Sequence, residues 1–476
     1  MKRKSLYTLL VLALGLNPSL TMTASQLPDL GAEYRSTLSV NDEKSIGEHW
    51  MSQIRASGMV YQDPIVNEYV QHLGNKLTPH TSLPYSDIHV KFFAINDKSI
   101  NAFAFFGGHI AVHSGLILVT TSESELAGVM SHELAHVSQQ HILRQITESK
   151  QIMPLTIAGS LAAVLLGVPE LMIPVLGGHG QHMLNFSRQH EQEADRVGIQ
   201  IMQQANFDPQ GLPSIFERMS SSLRYQSKPP EYLLTHPLYE SRIADTRHRA
   251  GSFPYKQQSN SNMFHLVRAR LEVQNTDNLQ QLIKTYEHKL ATKRHPNALE
   301  IQYGYAYALL QAGKSNEAWQ QFSSLLQAYP DDLIIQLTAA NIEQELHNYS
   351  AAQLRLEKQL HIYPDSGSLM IQYIELLLQT KQPAKARKIL QNYKSMHSLE
   401  PIYYELARHT ESMLGNQTGV YEANAEWYFL NGELNGALAQ LDLALEVKSN
   451  DQKTKSRLQS RHKEFLHELQ HRVKNI

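Results

Sequence analysis

Residues 132 to 136 read His-Glu-Leu-Ala-His. On an α-helix, residues four apart share a face, so His132 and His136 can turn both imidazoles toward one metal ion. Glu133 lies beside that face, within reach of a water polarised by the metal. Zinc tolerates an open coordination position and makes water a nucleophile near neutral pH. The expected chemistry is hydrolysis of a peptide bond.

A five-residue pattern needs the right element under it. Ser122 stands at the N-cap position of a helix, and Glu125, three residues on, completes a capping box. Leu126, Val129, Met130, Leu134 and Val137 follow at helical spacing. The two histidines therefore belong to a helix with a buried side.

Two histidines leave zinc one protein ligand short. Glu191, in Glu191-Gln192-Glu193-Ala194-Asp195, is the best candidate. It shares a helix face with Asp195, which can hold a ligand imidazole from behind, fixing its tautomer and raising its basicity. Glu193 points elsewhere on the wheel. Ala194, Val197, Gly198, Ile201 and Met202 are the small or apolar positions, and Gly198 suits a close helix crossing. His141, His179, His182 and His190 also lie near in sequence, and most of them read as bystanders.

The order His132-Glu133-x-x-His136, then Glu191-x-x-x-Asp195, resembles the zinc endopeptidase family that contains HtpX and the CAAX prenyl proteases. Asn101 to Gly108 followed by His113-Ser114-Gly115-Leu116 is similar to the strand pair ahead of that family's zinc helix. His236-Pro237 followed by Arg242 resembles its downstream motif. The resemblance covers roughly residues 40 to 250. It implies one Zn2+ on His132, His136 and Glu191, with Glu133 as general base and Asp195 as the associated acid. That Asp is sometimes described as a proton donor; its place behind a ligand favours an orienting role. Phe105-Phe106 stands where many relatives have Leu-Pro, which is expected to alter the substrate groove.

His236 has two candidate roles: donor to the oxyanion of the tetrahedral intermediate, or occupant of the open zinc position in a latent enzyme. Around Gly107-Gly108, Ile110 and Val112 alternate as in a bent strand pair, whose edge could pair with an extended substrate.

The chain has 476 residues, enough for two or three domains. Lys2, Arg3 and Lys4 precede an apolar run from Leu6 to Leu16 and the small and polar residues Thr21 to Ser25. This reads as a secretory signal peptide over 1–24, cut after Ala24. With no cysteine near the junction, no lipoprotein anchor is expected. No cysteine occurs anywhere, so a zinc site must be His and carboxylate. Net charge is −2, and loss of the three basic leader residues shifts it to about −5, which gives no support to nucleic-acid binding. Residues 155 to 168 are apolar, but about 14 residues do not cross a bilayer core of roughly 30 Å, so no stable transmembrane span is expected. The stretch from about 151 to 186, with Gly177-Gly178-His179-Gly180, suits a hinged cover that a protease would nick.

The chain changes character near residue 255. Ala318, Ala352 and Ala386 recur every 34 residues, as do Pro296, Pro330 and Pro364. That period is the tetratricopeptide signature. Ala437 lies one and a half periods past Ala386, which an extra helix around Pro401 to Leu414 would explain. The expected architecture is an α+β zinc metallopeptidase domain over 25–255, with a small sheet, and an all-α tetratricopeptide solenoid over 256–476. Such arrays bind peptides or partner proteins.

Together with the export signal and the repeats, the resemblance implies a periplasmic endopeptidase. Its expected substrates are unfolded polypeptides, in particular misfolded or stalled outer-membrane β-barrel proteins, and its expected partner is their assembly machinery. The alternative is a chaperone or assembly scaffold whose zinc site is latent or structural.

Overall fold

In the computed structural model, residues 39–84, 88–148, 188–222, 230–254, 258–292, 297–396 and 400–474 are described. The leader, the apolar run at 155–168, the glycine-rich 177–180 stretch, His179 and His182 lie outside them. Among the described residues no helix is long and apolar enough to cross a membrane.

The first half runs α1 (Val40–Ala56), α2 (Pro64–Leu77), β1 (Lys91–Ile95), β2 (Ala102–Phe105), β3 (His109–His113), α3 (Ser114–Val119), α4 (Glu123–Ser138), α5 (His141–Glu148), α6 (Arg188–Gln204), α7 (Gly211–Ser222), α8 (Tyr232–Thr235) and α9 (Glu240–Gly251). The strand order is β1-β3-β2; β3 pairs parallel with β1 and antiparallel with β2. The turn between β2 and β3 uses Gly107 at φ 77 and Gly108 at φ 78, where a side chain would be strained.

Strand alternation sorts the side chains onto two cores. Phe92, Ala94, Ala102, Ala104, Ile110 and Val112 face the main core with α4. Phe93, Ile95, Phe103, Phe105 and Ala111 face a smaller cluster with Trp50, Met51 and Ile54 of α1. The Phe105 and Phe106 side chains therefore belong to the smaller core. Both rings are buried, with centroids 6.1 and 5.7 Å from that of Trp50, on the sheet face away from α4.

Ser122 caps α4, its side chain accepting from the Glu125 amide at 3.2 Å. The capping box is not closed. The Glu125 carboxylate reaches one residue further and accepts from the Thr121 amide at 2.6 Å, while also pairing with Arg218. The arginine draws the carboxylate off the cap.

The second half is helical throughout its described residues: α10 (Asn262–Gln274), α11 (Leu279–Thr292), α12 (Ala298–Gln311), α13 (Ser315–Ala328), α14 (Leu333–Glu345), α15 (Tyr349–Ile362), α16 (Gly367–Gln379), α17 (Pro383–Met396), α18 (Pro401–Met413), α19 (Gln417–Leu430), α20 (Leu434–Glu446) and α21 (Gln452–Lys474). From α12 on, three pairs begin at 298, 333 and 367, each with a three-residue turn between its helices. The turn between α19 and α20 has the same length and puts Gly432 at φ 79, as Gly313 takes φ 74 between α12 and α13. Ala437 on α20 therefore stands on the second helix of its pair, as Ala386 does on α17, and α18 is the extra helix that the odd spacing requires.

α2 packs against α10 and α16, so the repeats curve around the first half. One apolar core runs from Val66 and Leu134 through Phe264 and Leu337 to Leu406. Arg270 and Asp63 form a buried ion pair across the junction, and Arg55 donates to Glu400 at 3.1 and 3.2 Å.

Candidate metal centre

α4 runs through the middle of the first half, and His132, Glu133 and His136 are all buried on it. α6 crosses it closely. A Cβ at Gly198 would stand 3.1 Å from the His132 amide nitrogen, so the absent side chain lets the two backbones approach. That crossing brings Glu191 and Asp195 to the histidines. The fourth arm comes from His236, which follows the short helix α8 and is 1% exposed.

Ligand atoms of His132, His136, Glu191 and His236 all lie within 4.8 Å of one another. The His132 and His136 Nε2 atoms are 3.0 Å apart. Glu191 stands 3.5 Å from His132 Nε2, 3.3 Å from His136 Nε2 and 2.9 Å from His236 Nδ1. His236 Nδ1 is 3.4 Å from His132 Nε2. Four ligands held tetrahedrally around a zinc-sized ion would stand about 3.3 Å apart. The donor set and its spacing fit a small divalent cation.

The charges agree. Within this buried cluster, Glu133, Glu191 and Asp195 supply three carboxyls against the guanidinium of Arg242. Arg242 donates from Nε and Nη2 to the two Asp195 oxygens, each at 2.8 Å, and its Nη1 lies 2.6 Å from Glu191. Asp195 in turn stands 2.9 Å from His132 Nδ1, on the side of that ring away from the cluster. Burial alone would raise the Glu191 carboxyl; His236, Arg242 and His132 outweigh it and hold Glu191 well below the usual range. Burial also pulls the His132 imidazole down, but hydrogen bonds to Asp195 and Glu191 win and lift it to about 9. An imidazole that these acids would otherwise keep protonated marks a place that calls for a cation.

Glu133 is 1% exposed, and burial raises its pKa. His236 Nε2 lies 3.5 Å from it. Tyr232 stacks on His236 at 4.7 Å, and its buried hydroxyl is a hydrogen-bond donor to Glu133.

Residues 64–250 match Peptidase family M48, and residues 344–408 match Tetratricopeptide repeat. The chain is 34% identical over 453 residues to the Beta-barrel assembly-enhancing protease of Escherichia coli (strain K12), spanning 93% of this chain and 92% of that one. The chain belongs to the beta-barrel assembly-enhancing protease family. It is a metalloprotease. The protein of the same name in Yersinia pestis is 33% identical over 429 residues, 89% of this chain and 88% of that one. Likeness to the Mitochondrial metalloendopeptidase OMA1 of Schizosaccharomyces pombe (strain 972 / ATCC 24843) is confined to 158 residues at 32% identity, 33% of this chain and 46% of that one.

In this metalloprotease all six residues singled out from the sequence, His132, Glu133, His136, Glu191, Asp195 and His236, meet in one buried cluster. Sequence reasoning missed two neighbours. Tyr232 carried no signal beyond its place four residues before His236. His141 was read as a bystander, yet its Nδ1 lies 2.9 Å from His136 Nδ1.

Proposed function

We propose that the chain is an exported zinc endopeptidase of the periplasm, with His132, His136 and Glu191 as ligands and Glu133 as general base. The observation that carries this reading is the convergence of those three donors beside the buried Glu133 carboxylate. His-His-Glu donors favour zinc over harder ions. The chemistry supplied by bound zinc is Lewis acidity, which makes water nucleophilic near neutral pH. Glu133 accepts the proton of the attacking water on its carboxylate and passes it to the leaving amine. Its raised pKa suits both transfers. Asp195 orients His132, and Arg242 holds Asp195 and Glu191 in register. Among the described residues β2 is an edge strand, and that edge is where an extended substrate backbone would pair.

We assign His236 to the fourth ligand position in a resting, shut enzyme. Its Nδ1 distances of 2.9 and 3.4 Å to the other donors support that role over oxyanion binding. Replacing His236 with Ala raises proteolysis under this assignment. Loss of activity supports the oxyanion role instead, and no change sinks both.

The substrates we propose are misfolded or stalled outer-membrane β-barrel proteins, and the partner is their assembly machinery, docked on the repeats over 256–476. Support comes from what the relatives' name says of them, and from a cleft of about 710 Å³ lined by Leu378, Ile402, Glu405, Arg408 and Val420. The occupied fourth corner also favours a second reading, an assembly scaffold whose metal site stays shut. Metal analysis with casein cleavage, with and without a chelator, tests the first. Glu133→Gln separates the two: it keeps the metal and lowers cleavage by about 10³-fold or more. If every cellular effect survives that change, the scaffold reading stands.

A further inference from the structure

α4 ends at Ser138, and α5 begins at His141. Between them Gln140 takes φ 53, a left-handed conformation uncommon for any residue but glycine. That turn folds His141 back under the preceding helix. Its side chain is 0% exposed, and its Nδ1 lies 2.9 Å from His136 Nδ1. Its Nε2 lies 3.2 Å from Glu193 Oε2. Arg144 donates to the same oxygen at 2.9 Å, and His190 stacks on the His141 ring at 4.6 Å.

The direction of this chain of hydrogen bonds follows from its far end. Glu193, paired with Arg144, is a carboxylate and can only accept. His141 must then carry its proton on Nε2, which leaves a lone pair on Nδ1. That lone pair can only accept, so His136 must carry its proton on Nδ1. The His136 Nε2 lone pair is thereby turned toward His132 and Glu191. We propose that His141 and Glu193 are positioning residues that fix the ligand tautomer of His136 through a histidine relay. The inference rests on the reading of His136 as a metal ligand.

The two imidazoles of the zinc helix are thus held by different means. Asp195 grips His132 directly, deep in the core, at 1% exposure. His136 is held at one remove, through a ring, by a glutamate whose side chain is 18% exposed.

The test measures zinc affinity of the full chain by competition with a chromophoric chelator. His141→Phe keeps a ring but removes the acceptor, and is expected to weaken zinc about 10- to 100-fold. His141→Asn places an amide oxygen where Nδ1 stood and is expected to stay within about threefold of the parent. His136→Ala is the control: if it binds zinc as tightly as the parent, the ligand reading itself fails. If His136→Ala loses zinc while His141→Phe does not, or if His141→Asn is as weak as His141→Phe, the relay is wrong. Nitrogen-15 spectra of the unsubstituted protein give a readout that needs no variant to fold. His136 should show a protonated Nδ1, and a protonated Nε2 in the metal-free protein overturns the proposal.

Discussion

The two halves of the molecule handle charge in opposite ways. Around the metal centre, Glu191, Asp195 and Arg242 are paired at 0 to 1% side-chain exposure. In the repeats, Glu357 with Lys385 and Glu422 with Arg457 pair at the surface, with side chains 23 to 60% exposed. Buried ion pairs seldom stabilise a fold, because desolvation takes back most of the attraction. The first half carries them because a catalytic cation needs oriented acids in a dry site. The repeats have no such demand. Their stability comes from small residues at helix crossings, where Ala318, Ala340, Ala352, Ala386 and Ala437 are all fully buried.

The contrast is sharpest at Arg242. Replacing it with Met leaves two buried carboxylates without their cation and should destabilise the metal-free protein by about 3–5 kcal/mol. Denaturant unfolding checks this, and added zinc should recover part of the loss. A loss under about 1 kcal/mol would mean that the buried charges matter no more than surface ones.

Asp63→Ala probes the seam between the halves. It strands the buried Arg270 guanidinium and removes the N-cap of α2, whose Asp63 carboxylate accepts from the Ile65 amide at 3.0 Å. We expect a loss of about 3 kcal/mol and the splitting of one calorimetric transition into two. A single, undisplaced transition would show that the continuous apolar core alone couples the halves.

Acid sensitivity should also reside in the first half. Burial, opposed by Asp97, lowers the His113 imidazole to about 4. The unfolded chain therefore takes up a proton before the folded one does. Stability is intact above pH 6.5 and is lost as pH falls from 6.5 toward 4, by up to about 3 kcal/mol. His113→Asn should flatten that slope in thermal melts across the window, and an unchanged slope excludes His113 as its source.

In the repeats, Glu357→Gln should be nearly silent. Hydrogen bonds from Lys385 and Tyr373 hold Glu357 down to about 2 against a burial effect that would raise it. Its contribution is present above the unfolded value of 4.5 and lost as pH falls toward 2. At this exposure it amounts to about 0.5 kcal/mol at neutral pH. A change above about 2 kcal/mol would erase the distinction between the halves.

Local patterns in the sequence were read well where one element sufficed. The Ser122 cap, the buried face of α4, the small residue at Gly198 and the glycine turn at 107–108 each follow from the chemistry of a few neighbours. The parallel pairing of β1 with β3 was not foreseen, because β2 lies between them in sequence and no local pattern marks which strand takes the centre of the sheet. Phe105 and Phe106 were read toward a groove from a difference with similar proteins at those two positions, which does not say which sheet face the rings take. His141 was passed over for a related reason: five residues past His136 is off the helical face, and only the left-handed turn at Gln140 brings it back.

Spacing along one helix was enough to pair His132 with His136, and a 34-residue period was enough to announce the solenoid. These are properties of the backbone repeat, which any sequence carries within itself. Tertiary structure alone decided that His236, 104 positions from His132, closes the same cluster, and that Arg242 grips both acids. Sequence separation holds no direction in space. Direction comes from helices crossing at a glycine and from an apolar core that turns these charged groups toward one another.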